Sequence, residues 1–445
     1  MVTIENKTGV LQGDALSGLF FSLALQPALE KLRLKEGLRL VIAYLDDIVI
    51  ICRKAEAEEL LRGSFQKVLD DSQLRLEMNN AKTTVFSPLG DLDDAANWNC
   101  KVQPDGCTVL GTPIGSPEFI RQRLEVSLAS FKQAISSILS LQTQSALLLL
   151  RYCVISRLNH LLRTIPATLT AATAHRANDE IWKAVKTLLD VPDETEARKL
   201  HFDLNRARTA STIPIALGGL GMTDPSHTLT GAFLAGIKDG LQQLQTSYPA
   251  DFDWWMAFLR NTEQQPSTAL DLKPYRESLR RSLNKVTNTF QTFSVTPFFA
   301  SLRGPTGDDV TAAETDVMYP RTLDNLLLSG KGLQNRYAQM FHQVSFHAFR
   351  GTLPTSLLAM ANGRATPHAQ DFLLMHPQSR LHTLQDSDMK FAARAILYIP
   401  PTNEHYLLPT AESVIMTRPR GPRTPLWRSA SSWPLKLPFS PIPPI

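Results

Sequence analysis

The sequence predicts an α+β protein: short strands and helices over residues 1–116, then a long and mostly α-helical remainder. Two apolar runs, 40–44 and 48–52, flank Leu45-Asp46-Asp47, which is the pattern of an antiparallel hairpin. Leu16, Leu19, Phe20, Leu23, Leu25, Leu29 and Leu32 recur at helical spacing just before it. Beyond residue 117 the apolar positions keep a helical period, with a single clear break, as far as 245.

Element by element, residues 2–10 alternate weakly and read as a strand. Residues 15–33 form a helix that Asp14 or Ser17 can cap. Residues 55–72 return to helical spacing through Leu60, Leu61, Phe65, Val68 and Leu69. Residues 76–78 and 84–87 read as strands, 91–99 as an acidic loop and 108–114 as a strand containing a glycine turn. Single helices follow over 118–141, 143–165 and 170–190. Gly218, Gly219 and Gly221 then break the pattern with a tight turn, and a helix resumes over 228–244. Residues 246–330 shift toward Pro, Thr, Ser and Asn between short helices. Residues 331–399 regain amphipathic helices, and 417–445 read as a Pro/Arg-rich disordered tail. The predicted regions are therefore 1–116, 117–245, 246–416 and 417–445.

Bulk properties exclude several classes. With 445 residues, 43% of them hydrophobic and 20% charged, the chain has an ordinary globular balance. A net charge of +4 permits nucleic-acid binding without arguing for it. The four cysteines contain no C-x-x-C pair, so neither a disulfide framework nor a zinc knuckle is expected. No apolar run approaches the roughly 20 residues a membrane helix needs, and an intracellular protein, cytoplasmic or nuclear, is expected.

The feature that points to chemistry is Tyr44-Leu45-Asp46-Asp47. Two adjacent carboxylates in a turn between apolar strands are expected to be half-buried and to need a cation. Magnesium suits them, because it prefers carboxylate oxygen and leaves room for phosphate. Upstream, Gln12-Gly13 opens the helix 15–33. Downstream, Lys82 follows a polar turn, and Leu110-Gly111 lies in a second glycine hairpin.

In this order and spacing, the four signals resemble the palm motifs of reverse transcriptases, particularly those of non-LTR-type retroelements. The resemblance covers about residues 2–116. It implies a partial polymerase palm followed by a helical thumb and a C-terminal extension. It further implies that Asp46 and Asp47 bind magnesium, that Gln12 and Gly13 line the nucleotide and template pocket, that Tyr44 supports the primer end and that Lys82 approaches the triphosphate. The implied partners are an RNA template, a DNA primer and deoxynucleotides, with no membrane. The family also uses an aspartate on an earlier palm strand, and fingers upstream. Only eleven residues precede Gln12, and Glu5 does not fit that role. An N-terminally truncated polymerase, inactive by itself, is expected. The alternative is a non-catalytic nucleic-acid-binding or helical interaction protein that keeps a palm remnant as scaffold.

Basic residues give a weaker signal. Arg151, Arg157 and Arg163 recur every six residues and do not share a helix face. Arg276, Arg280, Arg281 and Lys285 fall within a broad half of one helix and read as a solvated face that can touch phosphates.

Overall fold

A computed structural model describes residues 10, 14–73, 76–92, 98, 100–262, 271–293, 312–365, 373–374 and 386–399. The expected strand at 2–9, Gln12-Gly13, most of the loop 91–99 and the tail 417–445 lie outside these residues. The fold is α+β: three two-stranded sheets near the start, then helices.

α1 (Ser17–Arg33) precedes the antiparallel pair β1 (Leu38–Tyr44) and β2 (Asp47–Cys52). Alternation sorts the hairpin's faces. Val41 opposes Ile50 and Ala43 opposes Ile48 on one face; Ile42 opposes Val49 and Tyr44 opposes Asp47 on the other. The first set packs on Leu25, Ala28 and Leu32 of α1 and on Leu60, Phe65 and Leu69. Each fully buried leucine there contributes about 2 kcal/mol. The helix expected over 55–72 is split into α2 (Lys54–Glu59), a π turn (Leu60–Ser64) and α3 (Phe65–Asp70), because Gly63 sits at φ 128°.

Residues 76–78 are not a strand. Their backbone bonds go to the side chain of Gln66, whose Nε2 donates to the Leu76 carbonyl (2.7 Å) and whose Oε1 accepts from the Met78 N–H (3.1 Å). Of the strand expected at 84–87, only β3 (Thr84–Val85) forms, paired in parallel with β4 (Lys101–Val102). Pro88 has no N–H to continue it. The segment 108–114 is a full hairpin, β5 (Gly106–Val109) and β6 (Thr112–Gly115).

The helical body starts with α4 (Pro117–Ile138), capped by the Ser116 hydroxyl, which accepts from the Phe119 N–H (3.1 Å). The single helix expected over 143–165 is α5 (Thr143–Leu149), a π turn (Leu150–Val154), a 3₁₀ turn (Ile155–Leu158) and α6 (Asn159–Thr164). Within the π turn, Arg151 donates to the carbonyls of Leu220 (2.6 Å) and Leu373 (3.1 Å). α7 (Ala167–Leu188), α8 (Glu194–Lys199) and α9 (Leu204–Thr212) follow. The expected glycine turn has Gly218 at φ 89° and Gly221 at φ 69°. α10 (Pro225–Ser247) and α11 (Pro249–Leu259) come next, then α12 (Lys273–Phe293) and α13 (Ala312–Met318). The described helices end with α14 (Leu323–Leu328), α15 (Leu333–Gly351), α16 (Thr355–Arg364) and α17 (Asp386–Ile396).

α10 feeds two cores. Leu229 and Ala232 join Leu128, Phe131, Leu150, Ile181 and Phe349. Phe233, Leu234 and Leu241 join Phe258, Val286, Tyr337 and Met340. Both cores mix residues from either side of position 245. Two glycines let neighbours approach α10 closely. A Cβ at Gly231 would lie 2.8 Å from the Cβ of Tyr337, and one at Gly236 only 2.1 Å from the Arg163 carbonyl oxygen. Gly240 faces open space.

Asp224 caps α10 and is buried. Its Oδ1 accepts from the N–H and hydroxyl of Ser226 (both 2.7 Å), and its Oδ2 from Asn178 (3.0 Å). Beside it stand His227 and His342. Burial holds His342 down to about 4, with His227 adding to the depression and Asp224 opposing it. Burial likewise lowers His227, against the pull of Asp224.

Two predictions follow from α10 and its surroundings. Gly236→Ala should destabilise the chain by about 2 kcal/mol, because backbone must move. Gly240→Ala should instead stabilise it by about 0.5–1 kcal/mol; thermal unfolding reads both, and equal signs would refute the close-approach argument. The second concerns pH. Unfolded His342 takes up its proton near 6.5 and the folded one near 4. Between those values the unfolded state binds more protons, so stability falls as pH drops through this window. His342→Gln should flatten that slope in pH-dependent melting.

Candidate active site

The Tyr44-Leu45-Asp46-Asp47 segment closes the β1–β2 hairpin. Tyr44 and Asp47 form the last pair of the ladder, which leaves Leu45 and Asp46 as a two-residue loop. Such loops need a positive φ at the first central position to match the twist of the strands, and Gly or Asn usually supplies it. Here Leu45 takes φ 57°. A leucine held there stores about 1–3 kcal/mol of strain, a feature that clusters at active sites. The loop leans on α1: a Cβ at Gly18 would stand 3.4 Å from Leu45 Cδ2. Asp14 shapes the start of that helix, with its Oδ1 accepting from the Leu16 N–H (2.8 Å). The carboxylate turn and the N-terminal end of α1 therefore share one corner of the sheet.

Both aspartates are exposed, not half-buried as the apolar flanks implied. Only one face of the hairpin packs inward, and Ile42 and Tyr44 on the other face and Leu45 in the loop are exposed like the aspartates. Tyr44 is 64% exposed and lies on the same outer face as Asp47. Among the described residues no group of three or more His, Cys, Asp or Glu could hold a metal ion.

Lys82 is exposed at the end of a turn in which its N–H bonds the carbonyl (3.0 Å) and Oδ1 (3.2 Å) of Asn79. No hydrogen bond or ion pair among the described residues joins it to Asp46 or Asp47. Gln12 and Gly13 lie outside those residues, immediately before Asp14.

The second glycine hairpin has a partner that sequence reasoning missed. Leu110 at φ 48° and Gly111 at φ 79° form a loop with both residues left-handed, the geometry that favours glycine. His160 of α6 sits over it. The Thr164 hydroxyl donates to the His160 carbonyl (2.9 Å), and the Thr112 hydroxyl donates to Thr164 Oγ1 (3.1 Å). Each hydroxyl has one proton, so His160 Nε2–H must be the donor to Thr112 Oγ1 (2.9 Å). The order of protons thus assigns the histidine tautomer. His160 and Thr112 are 48 residues apart, and no local spacing signals the pairing.

The span from α1 to β6, without His160 and Thr164 of α6, is similar to a known family. Residues 3–114 match the family model of reverse transcriptase (RNA-dependent DNA polymerase). No curated protein and no solved structure matches the chain. The matched segment takes in the Tyr44-Leu45-Asp46-Asp47 hairpin, Lys82 and the Leu110-Gly111 turn, and it ends in β6, before α4 begins. No described helix is long and apolar enough to cross a membrane.

His160→Ala should cost about 0.5–1 kcal/mol in denaturant unfolding, since it removes a donor bond at the surface. His160→Gln, whose amide N–H₂ can still donate, should recover most of it. Equal loss in both variants would argue against the assigned tautomer.

Proposed function

We propose that this chain carries the catalytic hairpin of a non-LTR-type retroelement reverse transcriptase, with Asp46 and Asp47 holding magnesium. The observation that supports this most is the ordered set Gln12-Gly13, Tyr44-Leu45-Asp46-Asp47, Lys82 and Leu110-Gly111 within one matched segment. The donor set fits the metal. Magnesium takes one or two carboxylates and completes its shell with water and substrate phosphate, and an exposed turn leaves that space open. When bound, the metal supplies charge neutralisation to the triphosphate and to the attacking primer hydroxyl.

The chain's own residues have separate tasks in this reading. Asp46 and Asp47 present oxygens from a turn whose position is set by the β ladder and by Leu45 on α1. That rigidity suits in-line phosphoryl transfer, where positioning is most of the catalysis. The Tyr44 ring, exposed beside Asp47, supports the primer end. Gln12 and Gly13 line the nucleotide and template pocket at the start of α1, and Lys82 approaches the triphosphate. The partners are an RNA template, a DNA primer and deoxynucleotides, in an intracellular setting. In this reading Asp46 and Asp47 are part of the carboxylate set of a two-metal polymerase, and residues 1–445 alone are expected not to extend a primer.

Manganese titration followed by electron paramagnetic resonance tests the metal assignment. The wild-type chain should bind the ion, and Asp46→Asn/Asp47→Asn should lose that binding while melting as wild type does. Equal binding in the variant would sink the assignment. Primer extension with magnesium should yield no product, and template-dependent synthesis by residues 1–445 would overturn the claim of inactivity.

A further inference from the structure

α12 buries Leu279, Ser282, Val286 and Phe290 on one side. Its remaining surface carries Lys273, Arg276, Arg280, Arg281 and Lys285 against one carboxylate, Glu277. The cations do not share one fate. Arg281 pairs with Glu277 one turn back, and nearby Arg260 with Asp324. Among the described residues no ion pair holds Lys273, Arg276, Arg280 or Lys285. Asp224, the carboxylate nearest Lys285 in charge interaction, already accepts from Asn178 and Ser226.

Two of the unpaired cations are held in place by aromatic rings. The Arg276 guanidinium lies 5.1 Å over Phe258, and Lys285 Nζ 5.2 Å over Phe341. Ring contacts of this kind restrict the side chains before any ligand arrives, which lowers the entropy cost of binding. Two surface cavities run along the same helix. One, of about 540 Å³, is bordered by Lys273, Arg276, Arg280 and Glu277 together with Leu279 and Leu283. The other, of about 390 Å³, is lined by Arg281, Asn284, Lys285, Asn288, Thr289 and Thr292. That second lining consists of cations, amides and hydroxyls with no carboxylate among its described residues, a set that hydrogen-bonds anionic oxygen.

From Lys273 to Lys285 the helix rises about 18 Å, at about 1.5 Å per residue. Such a row spans several successive phosphates of a nucleic-acid strand.

We propose that the outer face of α12 binds the phosphodiester backbone of nucleic acid, independently of sequence. This site lies outside the reverse-transcriptase segment and needs neither Asp46 nor Asp47. Lys273, Arg276, Arg280 and Lys285 supply the charge, and Asn284, Asn288 and Thr292 bond phosphate oxygen in the smaller cavity. The face gives the chain a grip on template or product strands separate from the catalytic hairpin.

Fluorescence anisotropy of labelled oligouridine and of a labelled DNA duplex, titrated with the full chain over a range of salt, tests the proposal. Each phosphate contact on a single strand adds about 0.7 to the slope of log affinity against log salt. Substituting all four unpaired cations by glutamine should therefore weaken binding more than tenfold and reduce that slope by about 3. Lys273→Gln/Arg280→Gln, which leaves both ring contacts intact, should give about half the change in slope with an unaltered melting curve. Arg121→Gln/Arg123→Gln on α4 removes equal charge elsewhere and should leave affinity close to wild type. Wild-type affinity and slope in the double and quadruple α12 variants would overturn the proposal. So would preferential competition by polyglutamate over unlabelled oligouridine, which would mark an acidic protein as the partner.

Discussion

The carbonyl oxygen of Arg163 occupies the place where a side chain at position 236 would begin. This backbone-to-backbone approach brings α6 against α10, and at Gly231 the Cβ of Tyr337 brings α15 close as well. Much of the helical body depends on these contacts, because α10 contributes to both of its cores. The polar bonds around the crossing follow from it. Arg163 pairs with Asp239 and donates to Gln334 (3.0 Å), and Lys238, buried, donates to the Gly330 carbonyl (3.0 Å). A buried lysine is tolerated only with partners of this kind.

The same crossing reaches the sheet region through α6. That helix, seated on α10, carries His160 and Thr164, whose hydrogen bonds hold Thr112 at the Leu110-Gly111 turn. The helical body therefore bears directly on one motif of the segment that matches the reverse-transcriptase family model. The carboxylate turn is held differently, by its own ladder and by Leu45 resting on α1 beside Gly18. Both turns place a leucine in left-handed backbone, Leu45 at φ 57° and Leu110 at φ 48°. Neither leucine is there for local comfort, and each persists because its surroundings over-determine the loop.

Much of the sheet region was legible because its signals are local. Alternation around Asp46 and Asp47 is a property of adjacent residues, and it led to the correct hairpin. The helix 15–33 was legible for the same reason, although Leu16 and not Asp14 or Ser17 stands at its N-cap. Failures came where a distant group supplied the bonding. Residues 76–78 have a strand-like composition, yet Gln66 takes their backbone bonds. The spacing of Arg151 and Arg163 argued against a phosphate stripe, but it did not foretell that both are engaged internally by Leu220, Leu373, Asp239 and Gln334. The break of the 143–165 helix at Arg151 has no glycine or proline to announce it.

Short-range order in the chain thus determined the α+β class, the Tyr44-Leu45-Asp46-Asp47 turn and the sequence of four motifs that resembles a polymerase palm. Periodicity and turn chemistry act over a few residues, so they can be read without the fold. Only the tertiary structure decided that Asp46 and Asp47 stand exposed, that His160 holds the second turn as its Nε2–H tautomer, and which cations of α12 are left unpaired. Exposure, tautomer and ion pairing depend on groups tens to hundreds of residues away, and no local pattern carries that information.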